Sequence, residues 1–216
     1  MYEAESEAQW MRDWAAFLLS YRFALKEVET KLTIINEEFQ FMHDSNPIEH
    51  IKSRIKSPDS IFDKLKRKGV PVTIQSAYEH IRDIAGVRVI CSFATDIFNI
   101  YQMLAAQDDV TVLEVKDYVN HPKANGYRSL HMLIEIPVFL TNRVEHVPVE
   151  IQIRTIAMDF WASLEHKIFY KFNENVPLQI KEQLKEAAEI TSILDERMLS
   201  LNEAVNKIRN DEVDRT

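Results

Sequence analysis

Apolar residues recur along the first part of the chain in steps of four and three: Trp14, Leu18, Tyr21, Leu25, Val28, Leu32, Ile35, Phe39 and Met42. Such spacing gathers side chains on one face of a helix, so the pattern predicts a long N-terminal helix. The C-terminal segment follows the same steps through Ile180, Leu184, Ala187, Thr191, Leu194, Met198, Leu201, Val205 and Ile208. Each stripe runs for about four heptads. An isolated helix would leave that stripe in water, so it must pack on the rest of the chain, on the other stripe, or on a second subunit. Fraying is expected at Asn210–Thr216.

Between the stripes the period changes repeatedly. Asn46-Pro47 opens a helix or a short extended entry, and Arg54–Lys56 leads into a helix over Ser60–Lys68 that Gly69 and Pro71 close. A short helix follows at Ser76–Ile84, ending at Gly86. Val87–Phe93 reads as a strand, Asp96–Ala106 as a helix, Val110–Tyr118 as a strand, Ser129–Pro137 and Pro148–Arg154 as strands, and Ile156–Lys171 as an aromatic-rich helix. This makes an α+β chain: a mixed sheet of four to five strands flanked by helices, with long helices at both ends. The organisation expected is a helical region over residues 1–44, a catalytic domain over 45–172 and a helix for oligomerisation over 173–216.

Composition narrows the function. No apolar run approaches the roughly 18 residues that span a bilayer, and the acidic start fits neither a secretory signal nor a transit peptide. Cys91 is the only cysteine, which excludes an intramolecular disulfide, suits a reducing compartment and reads as a core thiol. A cytoplasmic protein without a membrane partner is therefore expected. Net charge is −8, which argues against general binding of nucleic acid. Yet Lys52, Arg54, Lys56, Lys64, Lys66, Arg67 and Lys68 crowd one segment that has only Asp59 and Asp63 as acids. A local basic cluster on an acidic protein suits a small anion; a solvated helix face is the plainer account.

The candidate chemistry lies in a few segments. In Pro148–Arg154, strand alternation puts Glu150, Gln152 and Arg154 on one face, as a wet edge or as groups for a metal, a base edge and a phosphate. Asp83, before a strand and near Gly86, could join Glu150 in holding Mg²⁺, with phosphates and waters completing the octahedron. In the run from Lys116 to His131, Pro122, Asn125 and Gly126 make a turn that sets Tyr127 among Lys123, Arg128 and His131. This is either a surface hairpin or a ring for stacking on a nucleobase while cations grip its phosphates. Lys56, Ser60, Lys64 and Arg67 follow helical steps and form one polar stripe. No Gly-rich phosphate loop occurs, so side chains would have to supply the phosphate grip.

With these clusters in this order, the sequence resembles the synthetase domain of the RelA/SpoT family of (p)ppGpp synthetases, a nucleotidyltransferase-like fold, and most of all its short, single-domain small alarmone synthetases. The matching stretches are Arg54–Lys68, Asp83–Arg88, Asp117–His131, and Glu150–Arg154 continuing into Trp161-Ala-Ser-Leu-Glu165-His166. The resemblance implies transfer of the β,γ-pyrophosphate of ATP to the 3′-hydroxyl of GTP or GDP, releasing AMP. It further implies that Arg54 and Arg88 sandwich adenine, and that Lys56, Ser60, Lys64 and Arg67 hold the ATP phosphates. Asp83 and Glu150 would bind Mg²⁺, with Glu150 polarising or taking the 3′-hydroxyl proton. Tyr127 would stack on guanine, Lys123, Asn125, Arg128 and His131 would engage the acceptor, and Gln152 and Arg154 would line its side. Asp159, where some relatives carry Asn, would accept from the guanine N1 and N2 donors. A homotetramer is implied as well. His43-Asp44 resembles part of the family's hydrolase motif but stands without the rest of that domain, so synthesis without alarmone hydrolysis is expected. The rivals are a non-catalytic nucleotide- or RNA-binding module on the same fold, and another nucleotidyltransferase that would release pyrophosphate.

Overall fold

The computed structural model describes residues 2–43, 46–172 and 176–213. The chain opens with helix α1 (Tyr2–His43). Its predicted stripe is buried from Trp14 through Ile35, and Val28 and Leu32 are fully enclosed. Beyond Ile35 the line leaves the core, and Met42 is exposed. Asp44 lies outside the described residues, so the His43-Asp44 dipeptide is not described as a pair.

Strand β1 (Ile48–Ile55) takes the extended option at Asn46-Pro47, and over far more than a short entry. Its polar side carries Lys52 and Arg54, and an edge strand of this kind lacks the clean alternation that marks a half-buried one. Helix α2 (Pro58–Arg67) begins two residues before its expected start, because Ser57 caps it by accepting from Ser60 N–H and Pro58 fits the first turn. Helix α3 (Ile74–His80) is capped by Thr73 and stops earlier than predicted. Ile81 is already extended, so Arg82–Ile84 form a turn rather than a helix end.

The remaining elements are β2 (Ala85–Cys91), α4 (Ala94–Ala105), β3 (Thr111–Asp117), β4 (Leu130–Phe139), β5 (Val144–Thr155), α5 (Ile156–Lys171) and α6 (Leu178–Val213). Five strands form one sheet in the order β1-β2-β5-β4-β3. Only β2 and β5 run parallel, so the sheet is mixed, as the sequence predicts.

One face of the sheet is apolar. Val87, Val89, Met132, Ile134, Val149, Ile151 and Ile153 form a single core with the stripe of α1 and with Ile97, Ile100 and Leu104 of α4. Cys91 is buried in this core, and burial raises its thiol pKa far above the ordinary range. Truncating a fully enclosed residue such as Leu32 to Ala costs about 2–5 kcal/mol. None of the described helices is long and apolar enough to cross a membrane.

Helix α6 departs from its predicted stripe. The side facing the protein runs through Leu184, Ala188, Thr191 and Asp195, and leaves out Ala187 and Leu194. Ile190, Ile193, Leu194, Met198, Leu201, Val205 and Ile208 are exposed, so the apolar line of α6 faces outward where that of α1 faces in. The helix continues through Asn210 to Val213, further than expected, and residues 214–216 lie outside the description.

Candidate active site

The second face of the sheet is polar, and strand register assembles it. Lys52 pairs with Arg88, Arg88 with Gln152, Gln152 with His131, and His131 with Lys116. Directly paired residues share a face, so this row crosses all five strands. The neighbouring row sets Arg54 beside Gly86 and Gly86 beside Glu150. Gly86 sits inside β2 without a positive φ, so it belongs to the strand and does not end the preceding helix. What it supplies is space: a Cβ would reach contact distance of the Arg54 side chain, 4.0 Å from Cγ. Lys52, Arg54, Asp83, Gly86, Arg88, Glu150 and Gln152 thereby line a cleft of about 260 Å³.

At one end of the cleft, Asp83 is gripped by two ammonium groups. Lys56 Nζ lies 2.8 Å from its Oδ2 and Lys64 Nζ 2.7 Å from its Oδ1. Burial alone would raise the Asp83 pKa, but these two bonds hold it below the usual carboxylate range. Lys56 precedes α2 rather than lying on it, so the expected helical stripe is corrected: Lys56 and Lys64 converge through Asp83. Ser60 is turned to the capping Ser57, and their hydroxyls are 2.8 Å apart. Arg67 is exposed in the last turn of α2.

Glu150 occupies the middle of the face. His131 Nδ1 lies 3.7 Å from its Oε1, and Gln152 donates to its Oε2 at 3.0 Å. The bond from His131 depresses the Glu150 pKa, burial opposes this, and the Asp83 charge raises it slightly. The net shift is downward, so Glu150 is ionised at neutral pH. Asp83 and Glu150 line the same cleft.

The third cluster is cross-linked. A turn over Lys123–Gly126 (Gly126 N–H to Lys123 O, 2.8 Å) presents Tyr127, and Asn125 stabilises it by donating to Glu165 at 3.0 Å. Tyr127 Oη meets His131 Nε2 at 2.7 Å and accepts from Arg154 Nη2 at 2.5 Å. Arg154, buried, also donates to Gln152 at 2.8 Å and to Asp159 at 3.2 Å. The same Asp159 oxygen lies 3.2 Å from Arg88 Nη1, so Asp159 clasps one arginine from each side of the cleft. Lys123 Nζ sits 4.7 Å from the centre of the Tyr118 ring and 4.8 Å from that of Tyr127.

The structure therefore brings together Arg54, Asp83, Arg88, Glu150, Gln152, His131, Tyr127, Arg154 and Asp159. It does not bring Arg128 to them: its guanidinium donates to the Val119 carbonyl and lines a small cavity against α6. Sequence reasoning missed Tyr118, set edge-on to both Tyr127 and His131, and Ser129, buried between Ile153 O and Arg154 Nε. A tyrosine nine residues before another and a serine at a strand entrance carry no periodic signal. The pairing is visible only in three dimensions.

As a metal site the cleft holds two carboxylates, and no group of three or more His, Cys, Asp or Glu ligands occurs among the described residues. That donor set fits Mg²⁺, which binds through one or two carboxylates and keeps waters and substrate phosphates for the rest.

Comparison with known proteins agrees with this geometry. Residues 53–175 match the model described as a region found in RelA/SpoT proteins. The GTP pyrophosphokinase YwaC of Bacillus subtilis is 58% identical over 196 residues, covering 91% of this chain and 93% of that protein. The crystal structure of small alarmone synthetase 2 from Bacillus subtilis superposes with a TM-score of 0.81 at 57% identity, over 89% of this chain and 99% of that one. Small alarmone synthetase 1 from the same organism, bound to its product pppGpp, gives 0.83 at 39% identity, over 90% and 99%. The chain belongs to the RelA/SpoT family.

Proposed function

We propose that this protein is a GTP/GDP pyrophosphokinase that makes pppGpp or ppGpp and AMP from ATP and GTP or GDP. The observation that carries this reading is one polar sheet face with a cation-rich end and an aromatic, hydrogen-bonded end, joined at Glu150. The near full-length similarity to a pyrophosphokinase and to a synthetase bound to pppGpp supports it.

The donor half takes ATP. Arg54 and Arg88 flank Gly86 and clasp adenine, while Lys56, Lys64, Ser60 and Arg67 hold the phosphates. An incoming polyphosphate competes with Asp83 for the two lysine ammoniums, which releases that carboxylate. Asp83 and Glu150 would then hold Mg²⁺, which when bound supplies charge neutralisation on the transferring phosphates.

The acceptor half takes the guanosine nucleotide. Tyr127 stacks on guanine once Lys123 swings from the ring to the acceptor phosphates, and Asn125, His131, Gln152 and Arg154 orient the nucleotide. Asp159 faces the base from between Arg88 and Arg154. The 3′-oxygen attacks the β-phosphorus, the bond from that phosphorus to the α,β-bridging oxygen breaks, and AMP leaves. Glu150 accepts the hydrogen bond of the 3′-hydroxyl and then its proton; its depressed pKa makes it a firm metal ligand and a weak base. Positioning and neutralisation are what such a transfer requires, and no protein nucleophile takes part.

The same reading divides the chain into a helical region over 1–44, a synthetase domain over 45–172 and an oligomerisation helix over 173–216. It assigns the exposed apolar line of α6 to a homotetramer interface in the cytoplasm, with no nucleic-acid or membrane partner.

The test is to incubate the protein with ATP, GDP and Mg²⁺ and resolve nucleotides by anion exchange. AMP and a more anionic guanosine product should appear in equal amounts. Release of pyrophosphate, or binding without turnover, overturns the proposal.

A further inference from the structure

The loop that carries Tyr127 is backed by α6 as well as by the sheet. Trp161 of α5 donates its indole N–H to the Leu184 carbonyl at 2.9 Å, and Leu184 and Ala188 pack with Trp161 and Tyr127. Gly126 has a φ of +88°, and a Cβ placed there would collide with the Cβ of Ala188. At Gly126 loop and helix are therefore in direct contact, with no space for a side chain there.

One helical turn pair further on, Asp195 is buried and accepts from Thr155 Oγ1 at 2.7 Å. Thr155 follows Arg154 directly, and its hydroxyl also accepts the Met158 N–H at 3.1 Å, which fixes the start of α5. Burial raises the Asp195 pKa, and the Thr155 hydrogen bond and the charge of Arg128 oppose that. Arg128 in turn donates to Val119 O across the base of the loop. A cavity of about 10 Å³ lies between these groups, lined by Gly126, Arg128, Trp161, Ala188 and Asp195 among others. That is room for about one water.

These contacts converge on the two ends of one hydrogen bond, Tyr127 on the loop and Arg154 at the end of β5. We propose that α6 is a positioning element for the acceptor half, with Ala188 and Asp195 holding the Gly126–Arg128 turn and the Arg154–Thr155 strand end in the geometry that binds the guanosine nucleotide. The inference rests on the acceptor-loop reading above. Neither residue lines the donor cleft, so their effect should fall mainly on the acceptor.

The experiment is bisubstrate initial-rate kinetics on the full chain with Mg²⁺, for Asp195→Ala, Asp195→Asn, Ala188→Val and Tyr127→Ala. Asp195→Ala strips the buried Thr155 hydroxyl of its acceptor, and Ala188→Val adds volume against Gly126. Each should raise the acceptor KM by about five- to tenfold while the ATP KM and kcat stay within about twofold. Asp195→Asn keeps the size and an accepting oxygen, so it should return most of the acceptor affinity. Melting curves and light scattering confirm that fold and assembly are unchanged; Ala188→Val leaves every polar group paired and carries the test if Asp195→Ala does not fold. An unchanged acceptor KM in the folded variants, or equal rises in both KM values, overturns the inference. If Tyr127→Ala also leaves the acceptor KM unchanged, the loop assignment itself has failed; if it alone raises that KM, only the role of α6 has.

Discussion

The two halves of the cleft are built on different principles. On the donor half, Lys56 and Lys64 bond one carboxylate, and Arg54 and Arg67 stand exposed. Apart from the Asp83 that Lys56 and Lys64 share, these cations act almost independently. On the acceptor half, Tyr127, His131, Gln152, Arg154 and Asp159 form one continuous chain of hydrogen bonds, with Arg154 at its buried hub. A partly solvated set of cations tolerates the loss of one member, whereas a cross-linked buried network does not. The difference suits the two ligands proposed: a flexible triphosphate needs charge, and a base and ribose need orientation.

Substitutions can break this comparison, starting where both halves meet. Glu150→Gln should lower kcat by about 10²–10⁴-fold with an unchanged melting temperature, since under the proposed function Glu150 both faces the reacting hydroxyl and holds the metal. Chelation of divalent cations should stop turnover in the wild type as completely, and Mg²⁺ should restore it. Full activity in a chelator contradicts the use of Asp83 and Glu150 as ligands.

Next in size is Tyr127→Ala. Base–aromatic stacking is worth about 1–3 kcal/mol, so the acceptor KM should rise by about 5- to 150-fold. The substitution also frees Arg154 and His131 from their common partner, so kcat should fall as well. Lys64→Ala should raise the ATP KM by about tenfold, the scale of one charge-assisted hydrogen bond, with kcat nearly preserved. Arg67→Ala, at an exposed position, should change the ATP KM by only about two- to fivefold.

The sequence alone carried the outline of both halves unevenly. Helix α5 matches its expected bounds, and the stripe of α1 is buried over the length that has a sheet beneath it. The shared face of Glu150, Gln152 and Arg154 follows from strand alternation, and the register with β2 and β4 adds Arg88 and His131 to it. Strand β1 was ambiguous because an edge strand carrying Lys52 and Arg54 has no strict period. The lysines beside Asp83 read as a helical stripe because spacing was the only available signal, and the turn at Arg82–Ile84 that brings Asp83 to them leaves none. Arg128 shows the same limit: its neighbours in sequence face the acceptor half, while it faces α6. Asp195 lies far along the chain from Thr155, and nothing local announces that pair.

The division of the cleft is tested most directly by measuring initial rates over a grid of ATP and GDP concentrations for the wild type, Lys64→Ala and Tyr127→Ala. The account predicts that Lys64→Ala raises the ATP KM and leaves the GDP KM within about twofold, while Tyr127→Ala raises the GDP KM and leaves the ATP KM so. Both constants moving together in both variants would contradict a cleft with separate donor and acceptor halves.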